Sequence, residues 1–227
     1  MLTRSEEDHL KAVYALLQHS DQENGRNRTA STKAIAERLS TKASSVTDML
    51  KKLAEKGLLK HVPYYGVKLS AKGQAAALRL VRKHRLWETF LVERLGFGWN
   101  EVHEVAEQLE HVSSDKLTNS LEEYLGHPRF DPHGDPIPDR DGNVQVRSTR
   151  PLTRCVVGER VRLAAVKGPN DALLQLLDQK GIGIGMVYHV RSRQVFDGSI
   201  ELRSKEGQES TVSEQVAAQL LVEPVRP

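Results

Sequence analysis

Two short stretches carry more imidazole and carboxylate than a solvated helix face needs. In "EVHEVAEQLEH", residues 101–111, His103, Glu107, Glu110 and His111 stand at i, i+4, i+7 and i+8. Those positions share one face of an α-helix. In "RKHRLWETF", His84 and Glu88 lie one turn apart on another helix, and Asp8 near the start of the first helical segment adds a seventh group. Taken singly, each is most simply a solvated charge, as Glu101 and Glu104 are read. Together, on helices that also pack a core, they repel one another or stay unsatisfied unless a positive centre joins them. A divalent cation does this. Carboxylate and imidazole suit manganese, iron(II), zinc and cobalt, and ligands drawn from facing helices are a known way to build such a site. "HEVAE" falls short of the H-E-x-x-H zinc-hydrolase motif, because Glu107 stands where the second histidine is needed.

The elements that must hold these residues follow from periodicity. The 227 residues, 38% hydrophobic and 28% charged, describe a globular chain with room for two or three domains. The apolar runs are too short to cross a bilayer. No signal-peptide-like stretch opens the sequence, and one cysteine, Cys155, excludes an internal disulfide framework or a four-cysteine zinc site. The expected location is the cytoplasm. A formal charge of +3 permits nucleic-acid binding without arguing for it.

"SEEDHLKAVYALLQHS" predicts a first helix with Ser5 as N-cap and an apolar stripe of Leu10, Val13, Tyr14 and Leu17. "DQENGRNRTAS" reads as a loop. Helices are then expected at about 32–39, 43–56, 71–94, 99–112 and 114–125, with "VPYYGVKLS" as a small hairpin turning at Gly66. "GHPRFDPHGDPIPDRDGN" has four prolines and three glycines in eighteen residues, so it reads as a loop or linker. Short strands follow, interrupted by the helix "NDALLQLLDQKG". A small β-barrel over residues 151–225 is the natural reading.

Residues 32–59 have helix-turn-helix form. Ile35, Ala36 and Leu39 line the first helix. Val46, Met49, Leu50 and Leu53 point the second inward, leaving Ser44, Ser45, Thr47, Asp48, Lys51 and Lys52 outward. Small hydroxyls at a helix start can approach base edges, the amide-rich N-terminus suits phosphate, and lysines attract phosphate regardless of sequence. The hairpin that follows is the expected wing. Thr32, Lys42 and Tyr65 complete the surface expected against DNA. The plain alternative is a helical hairpin with a charged, solvated face.

Residues 5–138 resemble the diphtheria toxin repressor and manganese transport regulator family of bacterial metal-dependent repressors. The stretches that carry the resemblance are "SEEDHLKAVYAL", "IAERLSTKASSVTDMLKKLAEKGLL", "VKLSAKG", "VRKHRLWETFL", "EVHEVAEQLEHVSSD" and "DPHGDPIP". Residues 151–225 resemble the SH3-like, FeoA-type domain of its longer members. The resemblance implies a multidomain, mainly α chain. A winged helix-turn-helix occupies 1–73, a helical metal-binding and dimerisation domain 74–138, a linker 139–150 and an SH3-like β domain 151–227. It also implies a homodimer on an inverted-repeat operator. The family's primary metal site falls on Asp8, Glu107, Glu110 and His111, and its second on His84, Glu88 and His103, for one or two ions per subunit. Where iron-type members have Met and Cys, this chain has Asp8 and Glu107, so the resemblance implies Mn(II), with Fe(II) as the alternative. Two departures stand out. Lys11 replaces a further acid of the manganese-type members. Pro169 and Ala172 replace β-domain ligands of the iron-type ones, with Asp171 near enough to substitute. Two other functions remain open on the residues: a dinuclear carboxylate–histidine metal enzyme, and a metal-indifferent winged-helix DNA-binding protein.

Overall fold

The computed structural model describes residues 2–19 and 29–225. The start of the polar loop expected from residue 21 lies outside these. Contacts divide the chain into two compact units. One comprises residues 1–84, 109–113 and 138–143; the other comprises 85–108, 114–137 and 144–227.

The first unit begins with α1, Arg4–His19. Its N-cap is Thr3 rather than Ser5: Glu6 N donates to Thr3 Oγ1 at 3.4 Å, and Thr3 N donates back to Glu6 Oε2 at 3.0 Å. This is a reciprocal capping box with its acid three residues after the cap. α2, Thr32–Arg38, is capped by Ser31, and α3, Ala43–Glu55, follows after a turn at Ser40. Leu10 and Val13 of α1, Ile35 of α2, and Val46 and Leu53 of α3 are fully buried together. Burying each such side chain contributes on the order of 1.5–3 kcal/mol. β1, Leu59–Val62, pairs antiparallel with β2, Gly66–Leu69. Ala30, just before α2, bridges Val67 and so ties the hairpin to the helix pair. Gly66 has φ +119°, and a Cβ there would sit 2.2 Å from Ala30 O, so only glycine fits. α4, Ala71–Leu95, then leads through His84 into the second unit.

In the second unit α5, Val102–Leu109, is shorter than expected. The periodicity continued to residue 112, but Glu110 and His111 form a turn, closed by Val112 N donating to Leu109 O. α6, Asp115–Tyr124, is capped by Ser114. The proline-rich segment, expected as a loop or linker, is an irregular loop ordered by its own contacts. Phe130 bridges Pro136, and the Asp131 carboxylate accepts from the amides of His133 and Asp135. Ile137 is buried with Leu86, Leu121 and Leu125. Side chain-to-backbone turns of this kind satisfy a buried backbone that regular structure does not reach.

The C-terminal part is a six-stranded antiparallel sheet, ordered β3-β8-β4-β5-β6-β7. The strands are β3 (Arg150–Pro151), β4 (Arg160–Val166), β5 (Val187–Arg193), β6 (Ile200–Ser204), β7 (Glu209–Val212) and β8 (Leu220–Pro224). Irregularities between Leu163 and Ala165 and between Val190 and Ser192 increase its twist. Among the described residues the pairing follows that order from β3 to β7, the sheet of the expected SH3-like domain. α7, Asp171–Gln179, and α8, Glu214–Gln219, pack Leu173, Leu177 and Ala217 onto a core of Val161, Leu163, Ile200, Leu202 and Cys155. Among the described residues no helix is long and apolar enough to cross a membrane.

Candidate metal centre and nucleic-acid interface

Three residues on two elements of the first unit converge. Asp8, Glu110 and His111 each offer a ligand atom within 4.8 Å of the others. α1 supplies Asp8 from its first turns. The turn that ends α5 supplies Glu110 and His111. His111 Nδ1 lies 2.7 Å from Glu7 Oε2 and donates to it. In the neutral tautomer this leaves the Nε2 lone pair 3.1 Å from Asp8 Oδ1 and 3.8 Å from Glu110 Oε1. A lone pair facing two carboxylates is repulsive unless a proton or cation lies between them, so the donor set fits a divalent cation. A carboxylate on the remote ring nitrogen of a ligating histidine is the usual orienting partner. Burial raises the Asp8 carboxyl above its ordinary value, against the pull of His111 and Arg4.

Glu110 is buried and carries two cationic or donor neighbours. His84 Nδ1 lies 2.6 Å from its Oε2, and Lys11 Nζ lies 2.6 Å from the same oxygen. Burial is the largest single influence and pushes the carboxyl up, yet His84 and Lys11 together outweigh it and the group titrates below its ordinary value. Lys11 Nζ is also 3.1 Å from His84 Nδ1. A lysine thus stands inside the carboxylate cluster.

Glu88 anchors a second group, in the second unit. Its Oε1 lies 3.3 Å from His103 Nδ1 and its Oε2 3.8 Å from His133 Nδ1. Glu88, Asp131 and His133 are all buried and offer ligand atoms within 4.8 Å of one another. His133 Nε2 donates to Trp99 O at 2.7 Å, which fixes the tautomer and leaves Nδ1 its lone pair. Glu107, expected beside Asp8, lies 3.4 Å from His103 Nε2. Hydrogen bonds to Glu107 and Glu88 raise the His103 pKa to about 9. Burial, reinforced by Glu88 and Asp135, drives the Asp131 carboxyl well up, with Arg85 opposing. His84 stands one turn before Glu88 on α4. Asp171, in the exposed first turn of α7, joins neither group among the described residues.

Three residues in these groups, Glu7, Asp131 and His133, are not among those expected from the sequence. Glu7 was visible as the middle acid of "EED". Asp131 and His133 lie in "DPHGD", part of a stretch that carries the resemblance but whose proline and glycine mark it as a loop.

On the DNA-reading elements, Ser44, Ser45, Thr47, Asp48 and Lys51 of α3 are exposed, as is Lys42 at its N-cap. Thr47 Oγ1 donates to Ala43 O at 2.9 Å. Lys52, also exposed, lies 3.1 Å from Glu6 Oε1, so part of its charge is spent within the protein. Thr32 opens α2 and is half-buried. At the hairpin tip Tyr65 is exposed, and Tyr64, not among the expected DNA-facing residues, is entirely so, with φ +69°.

Three family models match the chain. "Iron dependent repressor, N-terminal DNA binding domain" covers residues 1–67, "Iron dependent repressor, metal binding and dimerisation domain" 70–139, and "FeoA domain" 150–224. The chain is 35% identical over 170 residues to the diphtheria toxin repressor of Corynebacterium efficiens, covering 70% of this chain and 74% of that one. It is 38% identical over 104 residues to the iron-dependent repressor IdeR of Mycobacterium leprae, where the match spans 46% of this chain and 45% of the relative, under half its length. A solved manganese-dependent transcriptional repressor in complex with manganese superposes with a TM-score of 0.85 at 35% identity, over 97% of this chain and 100% of that one. An N-terminal DNA-binding domain, a helical dimerisation domain and a C-terminal FeoA domain built on a β-sheet therefore follow one another, and the chain belongs to the diphtheria toxin repressor and manganese transport regulator family of metal-dependent transcriptional repressors.

Proposed function

We propose that this chain is a metal-gated repressor. Loaded with Mn(II), or alternatively Fe(II), it binds an inverted-repeat operator as a homodimer in the cytoplasm and controls metal-ion homeostasis genes. The observation that carries the reading is the convergence of Asp8, Glu110 and His111, with the His111 Nε2 lone pair held by Glu7 against two carboxylates. When bound, the ion supplies the positive charge that ties α1 to the turn after α5.

The chain's own residues do the rest. Asp8 and Glu7 clamp His111 from the helix that also packs on α2 and α3. α3 presents small hydroxyls and Lys51 outward, and the wing presents Tyr65. In a dimer two such helices must reach successive major grooves, about 34 Å apart. A metal that binds the DNA-competent arrangement better by about 1–3 kcal/mol raises DNA affinity roughly 5–150-fold. The donors are oxygen and imidazole. The single thiol, Cys155, is buried in the C-terminal core, so the set suits Mn(II) better than a softer ion. A second ion is proposed at Glu88, held by His103 and by Asp131 and His133 of the proline-rich turn, with Glu107 at its rim and His84 one helical turn away.

The test is a titration of binding to a duplex selected from random-sequence DNA, with Mn(II), Fe(II), Zn(II) and chelator in parallel. Asp8→Ala is expected to fold yet lose the metal-dependent gain. Equal DNA affinity of parent and variant, with metal and with chelator, contradicts the proposal and favours a metal-indifferent DNA-binding protein.

A further inference from the structure

The start of α1 carries three consecutive acids, Glu6 and Glu7 in its first turn and Asp8 just after, with two different sets of partners. Glu7 and Asp8 engage His111 at 2.7 and 3.1 Å. Glu6 engages the reading helix instead. Its side chain is fully buried. Its Oε1 accepts from Lys56 Nζ at 2.7 Å and lies 3.1 Å from Lys52 Nζ, while Oε2 accepts from Lys56 Nζ at 2.8 Å and from Thr3 N at 3.0 Å. Lys52 lies in the last turn of α3 and Lys56 is its C-cap residue. A capping box accounts for the bond to Thr3. It does not account for an oxygen committed wholly to α3. Removing a carboxylate from water is costly unless its partners are placed to compensate it, and taking away one partner of such a buried pair is strongly destabilising.

We propose that Glu6 is the positioning residue that transmits metal occupancy at Asp8 and His111 to the DNA-reading helix. This rests on the reading of Asp8, Glu110 and His111 as a metal site. One turn of backbone joins the two grips. Ordering that turn at Asp8 fixes Glu6, and Glu6 fixes Lys52, Lys56 and with them the C-terminal half of α3. Coupling of this kind needs an element whose arrangement both sites bias, and the first turn of α1 is that element.

The experiment uses the full chain and Mn(II) alone as probe, reading hydrogen exchange of α1 and α3 with and without the ion, and calorimetric Mn(II) affinity. In the parent, Mn(II) is expected to slow exchange in the first turn of α1 and in α3 by about tenfold or more. In Glu6→Gln, Mn(II) affinity stays within about threefold of the parent and α1 still responds, but α3 does not. The metal-dependent gain in affinity for a selected duplex falls by about tenfold. Lys56→Met, an exposed-side change that leaves the capping box intact, is expected to do the same and keeps the test alive if Glu6→Gln unfolds. A merely structural role speeds α3 exchange equally with and without Mn(II) and leaves the metal-dependent ratio unchanged; that result overturns the proposal. A parent that shows no response to Mn(II) overturns the metal site and this proposal together. A parent that responds, with variants that respond equally, overturns this proposal alone.

Discussion

At the scale of single residues, Lys11 is the fixed positive charge beside the proposed site of Asp8, Glu110 and His111. Its ammonium sits 2.6 Å from Glu110 Oε2 and is mostly shielded from solvent. A divalent ion that takes Glu110 as a ligand meets this fixed charge, and like charges at such range in a half-buried site repel strongly. Lys11→Gln is therefore expected to tighten Mn(II) binding by about tenfold, which is about 1.4 kcal/mol, while lowering the melting temperature of the metal-free chain. Calorimetry with Mn(II) reads the first effect; weakened binding would show that Lys11 holds Glu110 in place for the ion rather than competing with it. His103 makes a second prediction. Its pKa, raised to about 9 by Glu107 and Glu88, lies above the unfolded value of 6.5. The stability it contributes is fully present below pH 6.5 and is lost as pH rises towards 9. A nitrogen that carries a proton cannot ligate, so ion affinity at the Glu88 group is expected to climb over the same window. Metal-free melting temperature and Mn(II) affinity measured from pH 6 to 9 check both slopes, and His103→Gln should flatten them.

At the scale of elements, legibility followed regularity. α1 to α4, the hairpin and α6 were readable because an apolar stripe at 3.6 or 2 residues marks each one, and their burial matches that stripe. Three features were not readable, each for a physical reason. The cap of α1 is Thr3 because a reciprocal pair with Glu6 outcompetes Ser5, although both residues are good caps. α5 stops at Leu109 although its periodicity continues. Glu110 and His111, expected on its helix face, stand instead in the turn that follows it. "DPHGDPIP" had no period to read at all. Its order comes from Asp131 collecting two backbone amides and from Gly134, whose φ is +86° and whose Cβ would fall 2.0 Å from Ala164 O. Gly134→Ala is thus expected to cost about 1–3 kcal/mol for the backbone conformation alone, and more for the displaced β4. Urea unfolding should show this loss, while Mn(II) binding at Asp8, Glu110 and His111 persists. An Ala variant as stable as the parent would mean that the turn relaxes away from β4 without cost.

At the scale of the whole molecule, a net charge of +3 is too small to drive DNA binding by itself, so the placement of a few lysines must do it. α3 offers two adjacent ones that differ in their electrostatic surroundings. Lys51 is exposed and no carboxylate pairs with it among the described residues. Lys52 is half-exposed but lies 3.1 Å from a buried carboxylate that Lys56 also serves. Hydrogen bonds from Lys56 and Thr3 hold the Glu6 carboxyl down at about 2, so it is ionised near neutral pH. Each phosphate neutralised by a lysine contributes about 0.9 to the slope of log affinity against log salt concentration. In the proposed operator-bound dimer, two copies of each lysine would face the duplex. Lys51→Ala is expected to reduce the slope by about 2 and to weaken binding uniformly across sequences. Lys52→Ala removes a charge already partly neutralised, so its reduction should be clearly smaller, and a larger share of its effect should appear as a lost response to Mn(II), because it loosens the grip of Glu6 on α3. Anisotropy titrations of both variants across a salt series, with Mn(II) and with chelator, separate the two lysines. Equal slopes for both variants would mean that Lys52 lets go of Glu6 when DNA arrives, and the division of labour between neighbouring lysines would have to be abandoned.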